Sequence, residues 1–403
     1  MCRKSRWVAR LLAAVVALTL MVGSAAAQDY GDAGSIYNRP DTLLPLPLND
    51  RLPDGGLFTA LSYAMYRTDN PIRSQNVANS GFISTNSLTG FNVGTYVGSA
   101  TPRLDTDQVS GSQYTPGFKI DIGYRFQDAT TLTLSWLHMF QTHKEAAATS
   151  AAPGFKVGNN FVDSFLTAPV FNFPPEYAGP NDLTDANGNP ISLGAYGIWN
   201  AASVMTLDFR QRVENYDLTY RVPEYETEST RVSVQVGGRF FWIWERFLWY
   251  TNDLDTNNVG GGTFAAYYSN ISSNRMYGPH AGVCWEQELG LGFALQLDLD
   301  AALLLDIVKE RTSYTLGERD VGPEAKRSRT DYTFVPEASA SLALMWYPYP
   351  GIQVRAGYNG MIFFNTISSK YPIDFNYGAV NPAYDRIFYR LFDGLDAGIA
   401  FIF

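Results

Sequence analysis

The chain carries three histidines, and His280 is the one whose surroundings could do proton chemistry. If a turn at Glu288–Gly290 pairs residue 280 with 298, His280 and Asp298 point inward from adjacent strands about 5 Å apart. That distance suits a proton-sharing pair, although ordinary hydrogen bonding inside a lumen is the favoured reading. Cys284 shares a face with His280, but four residues of strand separate them by roughly 13 Å at about 3.3 Å per residue. They cannot ligate one metal, and no zinc spacing occurs. His138 shares a face with Leu132, Leu134 and Trp136 near one rim, and His143 opens a loop that holds Glu145 and Asp163. A rim protease or lipase would need a nucleophile or an activated water beside such a histidine, and the spacing fixes neither. There is no Gly-rich phosphate loop and no Ser-centred elbow. The expectation is therefore no enzyme, no catalytic residue, no cofactor and no metal.

The elements that must position these side chains read as strands. In Gly117–Phe126, Phe118, Ile120, Ile122, Tyr124 and Phe126 take one face, while Lys119, Asp121, Gly123 and Arg125 take the other. The same two-residue alternation runs through Arg231–Trp244, Leu291–Val308 and Gly351–Phe364. Weaker versions span Leu57–Arg67, Thr130–Phe140, Val204–Tyr220, Arg275–Glu286, Thr333–Trp346 and Leu391–Phe403. Runs of about 10 to 14 residues fit tilted membrane strands. A soluble sandwich also alternates, but it rarely needs apolar rows seven or eight positions long on a face that meets water. In Val204–Tyr220 the charged Asp208, Arg210 and Arg212 share parity with Tyr216, Leu218 and Tyr220. Either a bulge near Val213–Asn215 restores the phase, or the upper part projects beyond the bilayer.

The polar faces supply the candidate lumen lining: Lys119, Asp121, Arg125, Gln235, Arg239, His280, Gln296, Asp298, Asp300, Glu337, Gln353 and Arg355. Their signs are mixed, so the simplest role is pairing across the lumen to brace the wall. Lining a conduction path is a compatible second role, although strong selectivity would enrich one sign.

Composition agrees with an exported all-β chain. Residues 1–27 read as a secretory signal peptide: Arg3, Lys4, Arg6 and Arg10, an apolar stretch Leu11–Val22, and Ala25-Ala26-Ala27 before Gln28. Losing those four cations takes the formal charge from −9 to −13, which argues against a nucleic-acid partner. No later window has 18 consecutive apolar residues, so a helical membrane protein is disfavoured. Aromatic content of 14% suits residues with a positional job at interfaces. Beyond the signal, only Cys284 remains, so no internal disulfide forms. Residues 28–56 are a Pro-rich periplasmic lead-in, and 57–403 form the barrel domain.

Connection lengths set the topology. Short turns join 117–126 to 130–140, 204–220 to 231–244, 275–286 to 291–308 and 333–346 to 352–364. Long segments at 68–116, 141–202, 245–274, 309–332 and 365–389 lie between. This alternation predicts an antiparallel transmembrane β-barrel of about 10 strands, with short periplasmic turns and long extracellular loops. Hairpins hidden in the loops would raise the count to 12–14. Leu395, Ala397, Ile399 and Phe401 alternate to a terminal Phe403, the kind of strand recognised by barrel-assembly machinery. The girdle candidates are Tyr124, Phe126, Trp285, Trp346, Phe401 and Phe403 at the lower rim, with Tyr216 beside them, and Trp242 and Trp244 at the upper rim. The charge-rich segment 309–332 is either a solvated loop, the simpler reading, or a contact for anionic lipid head groups.

Several segments together resemble a little-characterised outer-membrane β-barrel family of planctomycete-type bacteria, itself loosely similar to the major-outer-membrane-protein and porin group. They are YTPGFKIDIGYRF with LSWLH (114–138), NNFVDSF and VFNFPPEY within 159–177, MYGPHAGV (276–283), AALLLDIVKERTSY (301–314), KRSRTDYTFVPE (326–337), FFNTISS (363–369) and FDGLDAGIAFIF (392–403). The resemblance implies a Gram-negative outer-membrane location and a barrel, and carries no active-site residue. The expected function is a porin-like restricted diffusion channel for small solutes. A surface structural or adhesive barrel is the alternative, and a rim enzyme a distant third. Expected partners are outer-membrane lipid, the assembly machinery and small solutes.

Overall fold

The computed structural model describes residues 56–402 except 70–71, 86–93, 129, 150–160, 173–198, 200–201, 203, 228, 253–264, 318–323, 350, 369 and 380–384. The predicted signal peptide, all but the last residue of the lead-in, and Phe403 lie outside the described residues. The strands are β1 (Gly56–Thr68), β2 (Asn76–Thr85), β3 (Gly94–Asp105), β4 (Thr115–Arg125), β5 (Thr131–Thr149), β6 (Phe161–Thr167) and β7 (Val204–Glu226). They continue with β8 (Thr230–Asn252), β9 (Ala265–Gly290), β10 (Phe293–Leu316), β11 (Glu324–Tyr349), β12 (Ile352–Ser368) and β13 (Asp385–Ile402).

Ten of them close an antiparallel barrel in the order β1-β13-β12-β11-β10-β9-β8-β7-β5-β4, and β1 pairs with both β13 and β4. The chain is an all-β transmembrane barrel, with short turns at one end and long connections at the other. A hairpin does hide in the first long connection. Its strands β2 and β3 pair with each other, and β2 also pairs with β6, in a separate three-stranded sheet of order β3-β2-β6. The wall count therefore stays at ten.

All ten expected wall segments are strands, but several run further toward the loop end. β9 starts at Ala265, and β10 and β11 extend to Leu316 and from Glu324. Much of the charge-rich stretch 309–332 is thus a β-ladder and not a loop, a correction with a simple cause. Lipid-facing alternation stops where hydrocarbon stops, while backbone pairing between residues 309–315 and 324–330 continues. The same reasoning settles the phase of β7. Its pairing with β8 is unbroken from Val204 to Pro223, with no bulge at 213–215. Asp208, Arg210 and Arg212 keep the outward phase of Tyr216 and Leu218 on a projecting extension. The irregularity lies instead in β5, between Met139 and Thr142.

Alternation leaves Leu61, Ile122, Leu134, Leu218, Val236, Leu303, Leu342 and Leu395 exposed on the outer face. Burying such a row against lipid is what makes the pattern favourable. The inner face fills in layers along β8. Ser233, Gln235 and Arg239 come first, then Phe241 and Ile243, then Glu245, then Phe247 and Trp249, all buried. Phe241, Phe363 and Phe392 pack with Met276, Leu304 and Val335 as an apolar layer. Above it Arg390 pairs with Glu245 at 3.2 Å, both side chains 1% exposed. Nearest the loop end lies an aromatic layer of Trp199, Trp249, Tyr268, Tyr314 and Tyr377. Trp199 and Tyr377 enter it from the long connections, held by Ala168 N–H to Trp199 O and Tyr377 N–H to Phe171 O.

Candidate functional site: a charged chamber inside the barrel

The turn-end half of the lumen contains a chamber of about 290 Å³. Ten charged side chains line it: Lys119, Arg221, Arg231, Arg239 and Arg355 against Asp121, Asp217, Glu286, Asp298 and Asp300. The signs balance, and the groups are interlocked. Arg239 reaches Asp217 at 2.6 Å and Glu337 at 2.5 Å. Arg221 reaches Asp298 at 3.3 Å, Arg231 reaches Glu286 at 3.6 Å, and Lys119 reaches Asp121 at 3.4 Å. Arg355 meets Asp396 at 3.6 Å. Gln235 donates to Asp300 at 2.7 Å, and Gln296 donates to Asp298 at 2.7 Å. Such pairs hold strands separated by up to 98 residues of sequence, as for Arg239 and Glu337. Arg239 and Glu337 are buried, so their pairing chiefly avoids the cost of a lone charge, whereas Lys119 and Arg221 stay partly open to the chamber.

Nine of the twelve expected lumen residues line this chamber: Lys119, Asp121, Gln235, Arg239, Gln296, Asp298, Asp300, Gln353 and Arg355. Arg125 and His280 are buried outside its lining, and Glu337 closes on Arg239. The expected His280–Asp298 pair does not form. Cys284 stands opposite Asp298, and Ala302 stands opposite His280. The reason is the turn, which is centred on Leu291 with Gly290 and Gly292 around it, two residues later than expected. His280 instead lies beside Asp300, its Nδ1 3.6 Å from the carboxylate, and its Nε2 is 3.3 Å from Thr219 Oγ1. Gly237 makes room for that ring, because a Cβ there would lie 2.5 Å from His280 Nε2. Cys284 is a buried free thiol, 3.4 Å from Gln296 Nε2. Among the described residues, no three His, Cys, Asp or Glu side chains gather as metal ligands would.

Sequence reading missed Asp217, Arg221, Glu286 and Asp396. Asp217 and Arg221 belong to the inward parity of β7, which the apparent phase change obscured. Asp396 alternates correctly between Leu395 and Ala397, but its apolar neighbours dominate the signal there.

On the outside, Tyr124, Phe126, Trp346 and Phe401 are exposed toward the turn end. Phe293 stacks on Trp346, with Trp285 one strand away. Tyr216 belongs higher than expected. It stacks between Trp136 and Phe240, and Phe240 stacks on Tyr277, in one row across four strands. Trp242 and Trp244 stand one and two outward positions above that row on β8.

The model of a family described as Legionella pneumophila major outer membrane protein precursor matches residues 75–381. This carries the major-outer-membrane-protein part of the resemblance, and nothing in the match is specific to planctomycetes. No curated protein matches the sequence. Among solved structures, the outer membrane protease OmpT from Escherichia coli matches at TM-score 0.38 and 8% identity, over 87% of this chain and 97% of that one. A major outer membrane protein from Thermus thermophilus matches at TM-score 0.26 and 11% identity, over 85% and 99%. The Pseudomonas putida toluene transporter TodX matches at TM-score 0.23 and 9% identity, over 86% and 89%. The expectation of no enzyme is corrected by the first of these, since a protease stands among the matched barrels. At that identity and TM-score, the match assigns no reaction to this chain.

Proposed function

Because the chain belongs to the Legionella pneumophila major outer membrane protein family, we propose that it works in the outer membrane as a porin-like, restricted diffusion channel for small solutes. The supporting observation is the balanced, charged chamber of about 290 Å³ inside the wall. An apolar lumen would bind solute, and a single-signed one would select by charge. Five cations facing five anions favour weak selectivity and small polar cargo. Ten strands sit near the narrow limit, where side chains fill the interior, so free diffusion of large solutes is not expected. In the described conformation the Phe241–Phe363–Phe392 layer closes the chamber toward the loop end. Conduction then requires that layer to part.

The test is single-channel current from the purified protein in a planar bilayer, under two salt gradients. Brief small currents with a reversal potential near zero are expected. No unitary current under any condition would remove this reading. The second reading, a surface structural or adhesive barrel, draws on the aromatic layer and the three-stranded sheet at the loop end. In either reading, a signal peptide directs export, the mature chain begins near Gln28, and β13 engages the assembly machinery.

A further inference from the structure

We propose that the outer wall of β8–β10, immediately above its upper aromatic residues, binds the phosphate groups of an anionic lipid. Apolar outward rows occupy Val232–Trp244 on β8 and Leu295–Ile307 on β10. Twelve residue steps at about 3.3 Å, tilted by about 40°, rise roughly 30 Å, the thickness of the hydrocarbon core. The next outward positions therefore stand at head-group height. They are Arg246 on β8 and Lys309 and Arg311 on β10, while Arg275 on β9 is level with the last apolar positions, Trp242 and Ile307.

Register brings these cations together. Arg246 is paired with Ile271, which is paired with Arg311, so the two arginines are two strand spacings apart, roughly 10 Å. Lys309 is two residues from Arg311, and Arg275 is paired with Ile307. Long Lys and Arg arms converge readily on one oxyanion across such gaps. The other outward positions within 246–248, 269–275 and 307–313 are Leu, Ser or Ile, with no carboxylate. The nearest outward acids are both on β7: Asp208, paired with Arg210 at 2.8 Å and reaching Arg246 at 3.8 Å, and Glu214, two strand spacings from Arg275 through Trp242 and bonded to Tyr216 at 2.9 Å. Composition does not explain this excess, since the whole chain is at −9. Arg212 lies 5.2 Å over the Trp244 ring, fixing a further cation where the aromatic row ends.

The test uses the full protein in non-ionic detergent micelles, titrated with lipid A. Trp emission and retained lipid, read by native mass spectrometry, report binding. Saturable binding is expected, weakened by added salt. R275Q/K309Q/R311Q should bind about 100-fold more weakly, at about 1 kcal/mol per basic residue near a lipid surface and 1.4 kcal/mol per tenfold. It should keep heat-modifiable migration and unchanged channel behaviour, which separates this proposal from the channel reading. The charge-preserving R275K/R311K should stay close to the wild type. The idea is overturned if the glutamine variant binds lipid A as tightly as the wild type. It is equally overturned if inorganic phosphate or phosphatidylcholine produces the same saturable change.

Discussion

Leu291 adopts φ 56° between Gly290 at 87° and Gly292 at 79°, and it is 81% exposed. A left-handed conformation costs a non-glycine residue roughly 1–2 kcal/mol, and nothing packs on this side chain to repay it. Leu291→Gly should therefore stabilise the barrel by about 1 kcal/mol, after glycine's added unfolded-state entropy is deducted. A urea midpoint that falls instead would show that Leu291 is anchored, for example in lipid. A second residue-scale case lies in the turn between β4 and β5. Asp128 accepts from the Thr130 hydroxyl at 2.7 Å and from its N–H at 3.1 Å. These bonds hold its carboxyl below the ordinary value. Its contribution is thus present above the unfolded pKa and lost as pH falls through the lower folded one. Carboxyl NMR titration should show Thr130→Ala returning Asp128 toward the usual range. Deeper in, Glu245 neutralises Arg390 and accepts from Gln211 at 2.9 Å. Glu245→Gln strands a buried guanidinium and should cost about 3–5 kcal/mol. Glu245→Gln with Arg390→Met should recover most of it, because both charges are then gone.

At the scale of the strand, the wall was legible because a bilayer on one side and a polar lumen on the other impose a strict two-residue period. Ten segments were found that way, as were inward residues such as Lys119, Gln235 and Asp298. What escaped has physical causes. Beyond the bilayer edge the outward side chains become Arg246, Lys309 and Arg311, so β8–β10 look like loops although their ladders continue. The β9–β10 register slipped because Gly290 alone does not reveal that Leu291 also turns left-handed, and a two-residue shift of the turn moves the partner of His280 from Asp298 to Ala302, with Asp300 as the diagonal neighbour of its ring. Side-chain alternation survives an even shift, which is why the faces were right and the partners wrong. The lipid-facing role of the outer row makes a depth-dependent prediction. Leu299 stands midway between Phe293 and Leu305 on β10, whereas Leu57 opens β1 at the turn end. Leu299→Arg should cost about 2–4 kcal/mol in vesicles and Leu57→Arg only about 0–1 kcal/mol. Equal costs would mean that the exposed row does not meet hydrocarbon.

For the whole molecule, two closures stand in series along the lumen, and they are built differently. The lower one is made of wall residues: Phe241 packs on Phe363 with centroids 4.5 Å apart and on Phe392 at 5.6 Å. The upper one depends on residues from the long connections, with Trp199 against Trp249 at 4.3 Å and against Tyr377 at 5.4 Å. Closures in series multiply, so breaching one leaves the other limiting. Phe241→Ala removes a ring at a cost of about 3–5 kcal/mol in a packed core, but it opens onto a charged, hydratable chamber and should lose toward the lower end of that range. On its own it should raise current only slightly. Trp199→Ala alone should do the same, since the phenylalanine layer remains. The double variant should conduct far more than the sum of the two. A purely structural barrel gives a different result: each substitution lowers the urea midpoint, the losses add across the separate layers, and the double variant stays silent in the bilayer. Current and stability measured on the same four proteins therefore distinguish a gate from a seal, because only a gate couples the two layers through a common path.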